Sequence, residues 1–210
     1  MSIVGVPSNK SIRDYSPYFP DCGEKFRTFP TWCGFPEVIP ANTGAPVPVF
    51  SDGRSVRDYK TLLETLKIME VPAILVTNCD SIASLSLPEN VDVYFDVLNI
   101  RFAELMARAF VVVVPLNPAN FDAGQSVVLQ AMCYGKPIVS TDTAGISEYI
   151  ENGISGLLVP PGEPQAMAAA IRSLLDNPGL AFSMGEKARK KYWEQYSRDA
   201  FVRRLASVFC

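Results

Sequence analysis

The chain has 210 residues, 48% of them hydrophobic and 20% charged, with a formal net charge of -3. That length suffices for one domain with a full core and is marginal for two, and the slightly acidic balance argues against a nucleic-acid partner. With no histidine and five cysteines that form no C-x-x-C pair, ligands for a zinc site are scarce, and reduced thiols in a cytosolic protein are the plain reading.

In chain order, residues 1–46 come first, with seven prolines, several aromatics and little periodicity. They read as a tail or linker with at most one helix and one short strand, the strand near residues 25–29. Met1 to Val6 has no charged segment followed by an apolar one, so no signal peptide is expected. No apolar run approaches the ~20 residues that span a bilayer.

From Val47 onward the pattern is regular. Short Val- and Ile-rich runs at 47–51, 73–77, 91–95, 110–115, 137–140 and 156–159 read as strands buried on both faces. Between them, 3–4 spacing of apolar residues predicts helices at 59–69, 100–109, after Gly124, and at 163–176. The helix after Gly124 is expected to bury one face, carrying Val127, Val128, Ala131 and Met132. Alternation of strand and helix predicts an α/β fold, a Rossmann-like doubly wound parallel sheet of about six strands. Residues 180–209 read as two amphipathic helices, with Tyr192, Trp193 and Tyr196 near their junction. The basic run Lys187, Arg189, Lys190 and Lys191 sits among Glu186 and Glu194, so it reads as a solvated helix face rather than a membrane-contacting patch.

Ligands of such sheets bind beyond the carboxyl ends of the strands. Two loops leave those ends. One runs from Asp122 through Gly124, Gln125, Ser126 and Val127 into a helix that carries Gln130. A glycine turn at a helix start presents free N–H groups to an anion. The other loop holds Gly53, Arg54 and Arg57, two guanidiniums that can face the same crevice and bind a diphosphate. Bland alternatives stand beside each: solvated arginines on a surface loop, Asp122 as a helix N-cap, and Gln130 as an exposed helix residue.

The order of motifs decides between them. Gly53-Arg54, then Gln130-Ala-Met-Cys-Tyr-Gly-Lys-Pro-Ile138, Ala144-Gly-Ile-Ser-Glu148, and Asn152-Gly-Ile-Ser-Gly-Leu-Leu-Val-Pro-Pro161 resemble the C-terminal, donor-binding domain of GT-B glycosyltransferases of the group 1 (GT4-like) superfamily, over residues 47 to about 178. The resemblance implies that Arg54 and Arg57 (the latter at the family's lysine position) bind the donor diphosphate. It places Asp122 and Gln130 on the two acidic positions of the Glu-x7-Glu signature, the first contacting sugar hydroxyls and the second the ribose. It gives the backbone of Gly124, Gln125, Ser126 and Val127 to the phosphate and sugar, and sets the base near residues 95–98. Asp for Glu keeps a carboxylate on a shorter arm, whereas Gln130 loses the charge-assisted acceptors of a Glu.

The implied activity is retaining transfer of a sugar from a nucleotide-diphosphate sugar to an acceptor hydroxyl, with Arg54, Arg57 and Asp122 as catalytic candidates. No cofactor and no metal are expected; the nucleotide sugar is a substrate. Partners are a glycan, lipid-linked or small-molecule acceptor and a second N-terminal-type domain or subunit, in a cytoplasmic setting that allows peripheral contact with a membrane. Residues 1–46 are then the remnant of an acceptor domain, 47–178 the nucleotide-sugar domain, and 179–210 helices that would pack on a missing domain. On this reading the isolated chain is a donor half, inactive or weak. The alternatives are a non-catalytic nucleotide-sugar-binding or regulatory subunit with a decayed site, and a GT-B sugar-nucleotide epimerase.

Overall fold

The computed structural model describes residues 3–6, 8–29, 44–97, 99–119 and 122–209. The chain opens with β1 (Val4–Val6), α1 (Asn9–Tyr15) and β2 (Phe26–Thr28). The two strands pair in parallel, Val4 opposite Phe26. This exceeds the expected single helix and single strand. Strands of three residues are too short to show a period of two, and Pro17 and Pro20 open two short 3-10 turns. Helix α1 starts at Ser8, whose hydroxyl accepts the Ser11 N–H at 3.0 Å.

The main body runs β3 (Val47–Asp52), α2 (Tyr59–Met69), β4 (Ala73–Thr77), β5 (Val91–Phe95), α3 (Asn99–Arg108), β6 (Ala109–Val114), α4 (Gln125–Cys133), β7 (Ile138–Thr141), β8 (Leu157–Val159) and α5 (Pro164–Leu175). The six strands β3 to β8 form one parallel sheet in the order β5-β4-β3-β6-β7-β8. The order reverses between β3 and β6, so their carboxyl ends flank a topological switch point, where such sheets leave a crevice.

Alternation along the strands divides the core. Val49, Val111 and Val113 face α2 and α5, packing with Leu62, Leu66 and Ile171. Phe50, Val112 and Val114 face α3 and α4, packing with Phe102, Leu105 and Met132. Each such side chain, taken from water, contributes roughly 1.5–3 kcal/mol before entropy is counted.

Beyond α5 lie α6 (Pro178–Lys191), a π-turn at Tyr192–Tyr196, and α7 (Arg198–Phe209). Helix α6 packs on α4 and α5, so this part of the C-terminal segment covers the main body itself. As a result α4 is buried all round, from Val127 through Cys133, and not on the one face expected. The two helices meet very closely: a β-carbon on Gly185 would stand 2.1 Å from the Gly135 carbonyl oxygen. Lys136 ties the end of α4 to the sheet, its Nζ donating to the carbonyls of Ala107 at 2.6 Å and Ala109 at 2.7 Å. Helix α7 reaches the N-terminal unit through Phe201, whose ring meets Phe29 edge-on with centroids 6.5 Å apart.

Cys22 and Cys79 are free thiols and Cys133 is buried in α4; Cys33 and Cys210 lie outside the described residues. Among the described residues no helix is long and apolar enough to cross a membrane.

Candidate functional site

The loop after β3 is set by Gly53. Its φ of +142° is open to glycine and strained for other residues. Its carbonyl accepts the hydroxyls of Tyr59 and Thr77, and its N–H donates to Val76 at 3.2 Å, so the turn is held from both sides. Burial pushes the Tyr59 phenol up to about 12, against the lowering pull of the Thr77 hydroxyl and Arg57. Arg57 then folds back along the turn, Nε donating to the Asp52 carbonyl at 2.8 Å and Nη1 to the Ser55 carbonyl at 3.2 Å. Arg54 reaches across the opening to Asp96, Nη2 to Oδ1 2.9 Å, with both side chains more than half exposed. An ion pair so exposed is worth ~1 kcal/mol or less, and Arg54 is readily recruited by another anion.

The loop after β6 is set by Gly124, the N-cap of α4, with φ of +86°. A β-carbon there would press on Leu116, Val114 and Ile146 at 3.2–3.3 Å. Gly124 supplies no side-chain cap, and the first helical bond runs from Val128 N to Gly124 O at 3.1 Å. The N–H groups of Gln125, Ser126 and Val127 therefore stand ahead of the helical ladder, at the positive end of the dipole. Farther along α4, Gln130 is 1% exposed, and neither end of its amide has a hydrogen-bond partner among the described residues.

These two loops enclose one cavity of about 500 Å³. From the first loop it is lined by Gly53, Arg54 and Arg57, and from the second by Asp122, Gly124, Gln125, Ser126, Val127 and Gln130. All the sequence-predicted site residues thus face one space. Two bland alternatives fall: Gln130 is buried, and Asp122 does not cap α4, whose cap is Gly124. Of the segment expected near a base, Val97 lines the cavity, and Leu98 lies outside the described residues.

Several groups were not foreseen. Asp52 lines the same cavity; burial pushes its carboxyl up to about 6, against the pull of Arg57 and Arg54. Burial also lowers the Arg57 guanidinium from its ordinary value. A charged residue at the carboxyl end of an otherwise apolar strand was the available signal. Phe102, on α3, also lines the cavity. The carboxylate of Asp122 is held by Oδ2, which accepts the hydroxyls of Ser8 and, at 2.8 Å, Ser11. Glu148 accepts the backbone N–H groups of Asn9 and Lys10, each at 3.0 Å. The start of α1 is therefore docked against the cavity wall through Ser8, Asn9, Lys10 and Ser11. The Ser-x-x-Ser cap was visible in the chain; its distant partner was not. Among the described residues no group of three or more His, Cys, Asp or Glu is placed to hold a metal ion.

Arginines, helix-start amides and a buried, unpaired amide around one crevice suit a ligand with a diphosphate between two hydroxylated ends. The chain is similar to known proteins over part of their length. It is 34% identical over 92 residues to alpha-D-kanosaminyltransferase of Streptomyces kanamyceticus, covering 44% of this chain and 24% of that protein. It is 40% identical over 83 residues to the putative colanic acid biosynthesis glycosyltransferase WcaL of Salmonella typhimurium, covering 39% and 20%. Among solved structures, sucrose-phosphate synthase from Thermosynechococcus elongatus superposes with a TM-score of 0.82 at 20% identity, over 99% of this chain and 57% of that one. Anabaena Alr3699/HepE in complex with UDP-glucose superposes with a TM-score of 0.80 at 20% identity, over 99% and 63%. The chain thus spans under two thirds of these proteins, and the superpositions establish the GT-B, Rossmann-like fold. The family model of glycosyl transferases group 1 matches residues 77–191, and the chain belongs to that glycosyltransferase family.

Proposed function

We propose that this chain is the donor-binding half of a retaining glycosyltransferase, which moves a sugar from a nucleotide-diphosphate sugar to an acceptor hydroxyl. The observation that carries the reading is Gln130: a fully buried amide with both ends unpaired, lining the same cavity as two arginines and the start of α4. An unpaired buried amide costs about 1–3 kcal/mol, and a ribose hydroxyl pair would satisfy it. Arg54, Arg57 and the amides of Gln125 to Val127 would hold the diphosphate, Val97 and Phe102 the base side, and Asp122 a sugar hydroxyl.

In the proposed step, the bond from the sugar C1 to the β-phosphate oxygen breaks. The acceptor oxygen forms its bond to C1 on the same face, and its proton passes to the departing phosphate. Negative charge grows on that phosphate, where fixed cations and N–H dipoles stabilise it without reorganising. The acceptor is a glycan, lipid-linked or small-molecule hydroxyl, positioned by a second domain or subunit; without it, transfer is weak or absent.

Calorimetry of the 210-residue chain with UDP-, GDP- and ADP-sugars tests the reading. Binding of at least one, weakened tenfold or more in Arg54→Ala, is expected. No binding of any, or binding indifferent to Arg54, would sink it. A non-catalytic binding subunit is the second reading, favoured by Gln130 standing where the family signature has an acid. Sugar transfer restored by adding the partner half would exclude it.

A further inference from the structure

We propose that Ser8 and Ser11, at the start of α1, are positioning residues of the donor site, which hold Asp122 by one oxygen and leave the other for the sugar. The inference rests on the cavity being a nucleotide-sugar site. Oδ2 of Asp122 accepts both serine hydroxyls, and the serines are 1% and 6% exposed. Ser8 is itself fixed, because its oxygen also accepts the Ser11 N–H at 3.0 Å. Oδ1 is buried without a hydrogen-bond partner among the described residues. It lies against Gly145, where a β-carbon would stand 2.5 Å from it.

A carboxylate with one oxygen accepting two hydrogen bonds and the other buried without any is oriented but unsatisfied. A carboxylate serving only to dock α1 would gain nothing from a second oxygen left buried and unsatisfied. Asp122 lines the 500 Å³ cavity and also a neighbouring one of about 250 Å³ that Gly145 lines too, so a sugar hydroxyl that displaces the Gly145 backbone from Oδ1 meets an acceptor whose direction is already set. Glu148 secures the other half of the device, holding α1 by the N–H groups of Asn9 and Lys10. Removing the serine hydroxyls frees the carboxylate to rotate. The cost falls on the sugar end of the donor and spares the diphosphate, which Arg54, Arg57 and α4 hold.

The test compares a free nucleoside diphosphate with its hexose conjugate, UDP with UDP-glucose and likewise the GDP-mannose and ADP-glucose pairs, on the full chain by calorimetry. In Ser8→Ala/Ser11→Ala the nucleotide sugar should bind about tenfold more weakly, with the free diphosphate unchanged. Asp122→Ala should show the same selective loss, and adding the serine changes to it should weaken binding no further. Gly145→Ala, which displaces Oδ1 from the opposite side, should lose the sugar selectively as well, and Ser11→Thr, which keeps the hydroxyl, should not. Equal losses for diphosphate and nucleotide sugar, or no loss for either, would overturn the inference and leave the donor-site reading standing. A wild-type chain that binds none of the six probes would overturn both.

Discussion

Arg57 occupies the space that a side chain on Gly53 would need. Its Nε lies 2.1 Å from an ideal Gly53 β-carbon and donates to the Asp52 carbonyl at 2.8 Å. The glycine thus sets the turn and also admits the arginine to the crevice. Gly53→Ala would bear the strain of φ +142° and eject Arg57. We expect a loss of about 2–3 kcal/mol of stability in urea unfolding, together with loss of nucleotide-sugar binding. A variant as stable as the parent would contradict this account of the turn.

Gln130 separates function from stability. Its amide is buried and unpaired, so Gln130→Met, of similar volume, removes an unsatisfied polar group. The empty protein should become more stable by about 1 kcal/mol, seen as a higher Tm. Nucleotide-sugar binding should fall at least tenfold. The opposite pattern, lower stability with binding intact, would mean that the amide has a structural partner.

Asp52 makes stability depend on pH in a defined direction. Its carboxyl rises from an ordinary 3.8 to about 6 through burial, so between those values the folded chain keeps a proton that the unfolded chain has released. Asp52's contribution to stability therefore declines as pH rises through that window, by roughly 1–3 kcal/mol, and is constant above it. Asp52→Asn should remove this slope in denaturant titrations from pH 4 to 7. The same ionised carboxylate competes with a diphosphate for Arg57 and Arg54. UDP-glucose, as probe, should therefore bind more tightly at pH 6 than at pH 7.5, and Asp52→Asn should abolish the difference.

Gly185 lets α6 lie directly on the end of α4, with its Cα side against the Gly135 carbonyl. A methyl group there meets backbone, which cannot rotate away. Gly185→Ala should cost about 3 kcal/mol, measured by thermal or urea unfolding, and should loosen the cover over α4. Ser183→Ala, on the exposed side of the same helix, should leave stability within about 0.5 kcal/mol.

The sequence by itself determined the parallel sheet, the helices between its strands, and the two loops of the site. Each of these rests on local information: Val- and Ile-rich runs, 3–4 spacing as in α2, and glycines at Gly53 and Gly124 where the backbone must turn. Strand ends shifted by a residue, as at β6 and β7, because hydrogen-bond register with a neighbour and not composition ends a strand. Only the tertiary structure decided the rest. That α4 is buried all round depends on α6, which follows β7, β8 and α5 in the chain. That Gln130 is unpaired depends on what fails to reach it. And α1, in an aperiodic stretch that contains prolines, meets the cavity wall because Ser8 bonds to Asp122, 114 residues away. A contact between side chains that far apart has no period, so folding alone could reveal it.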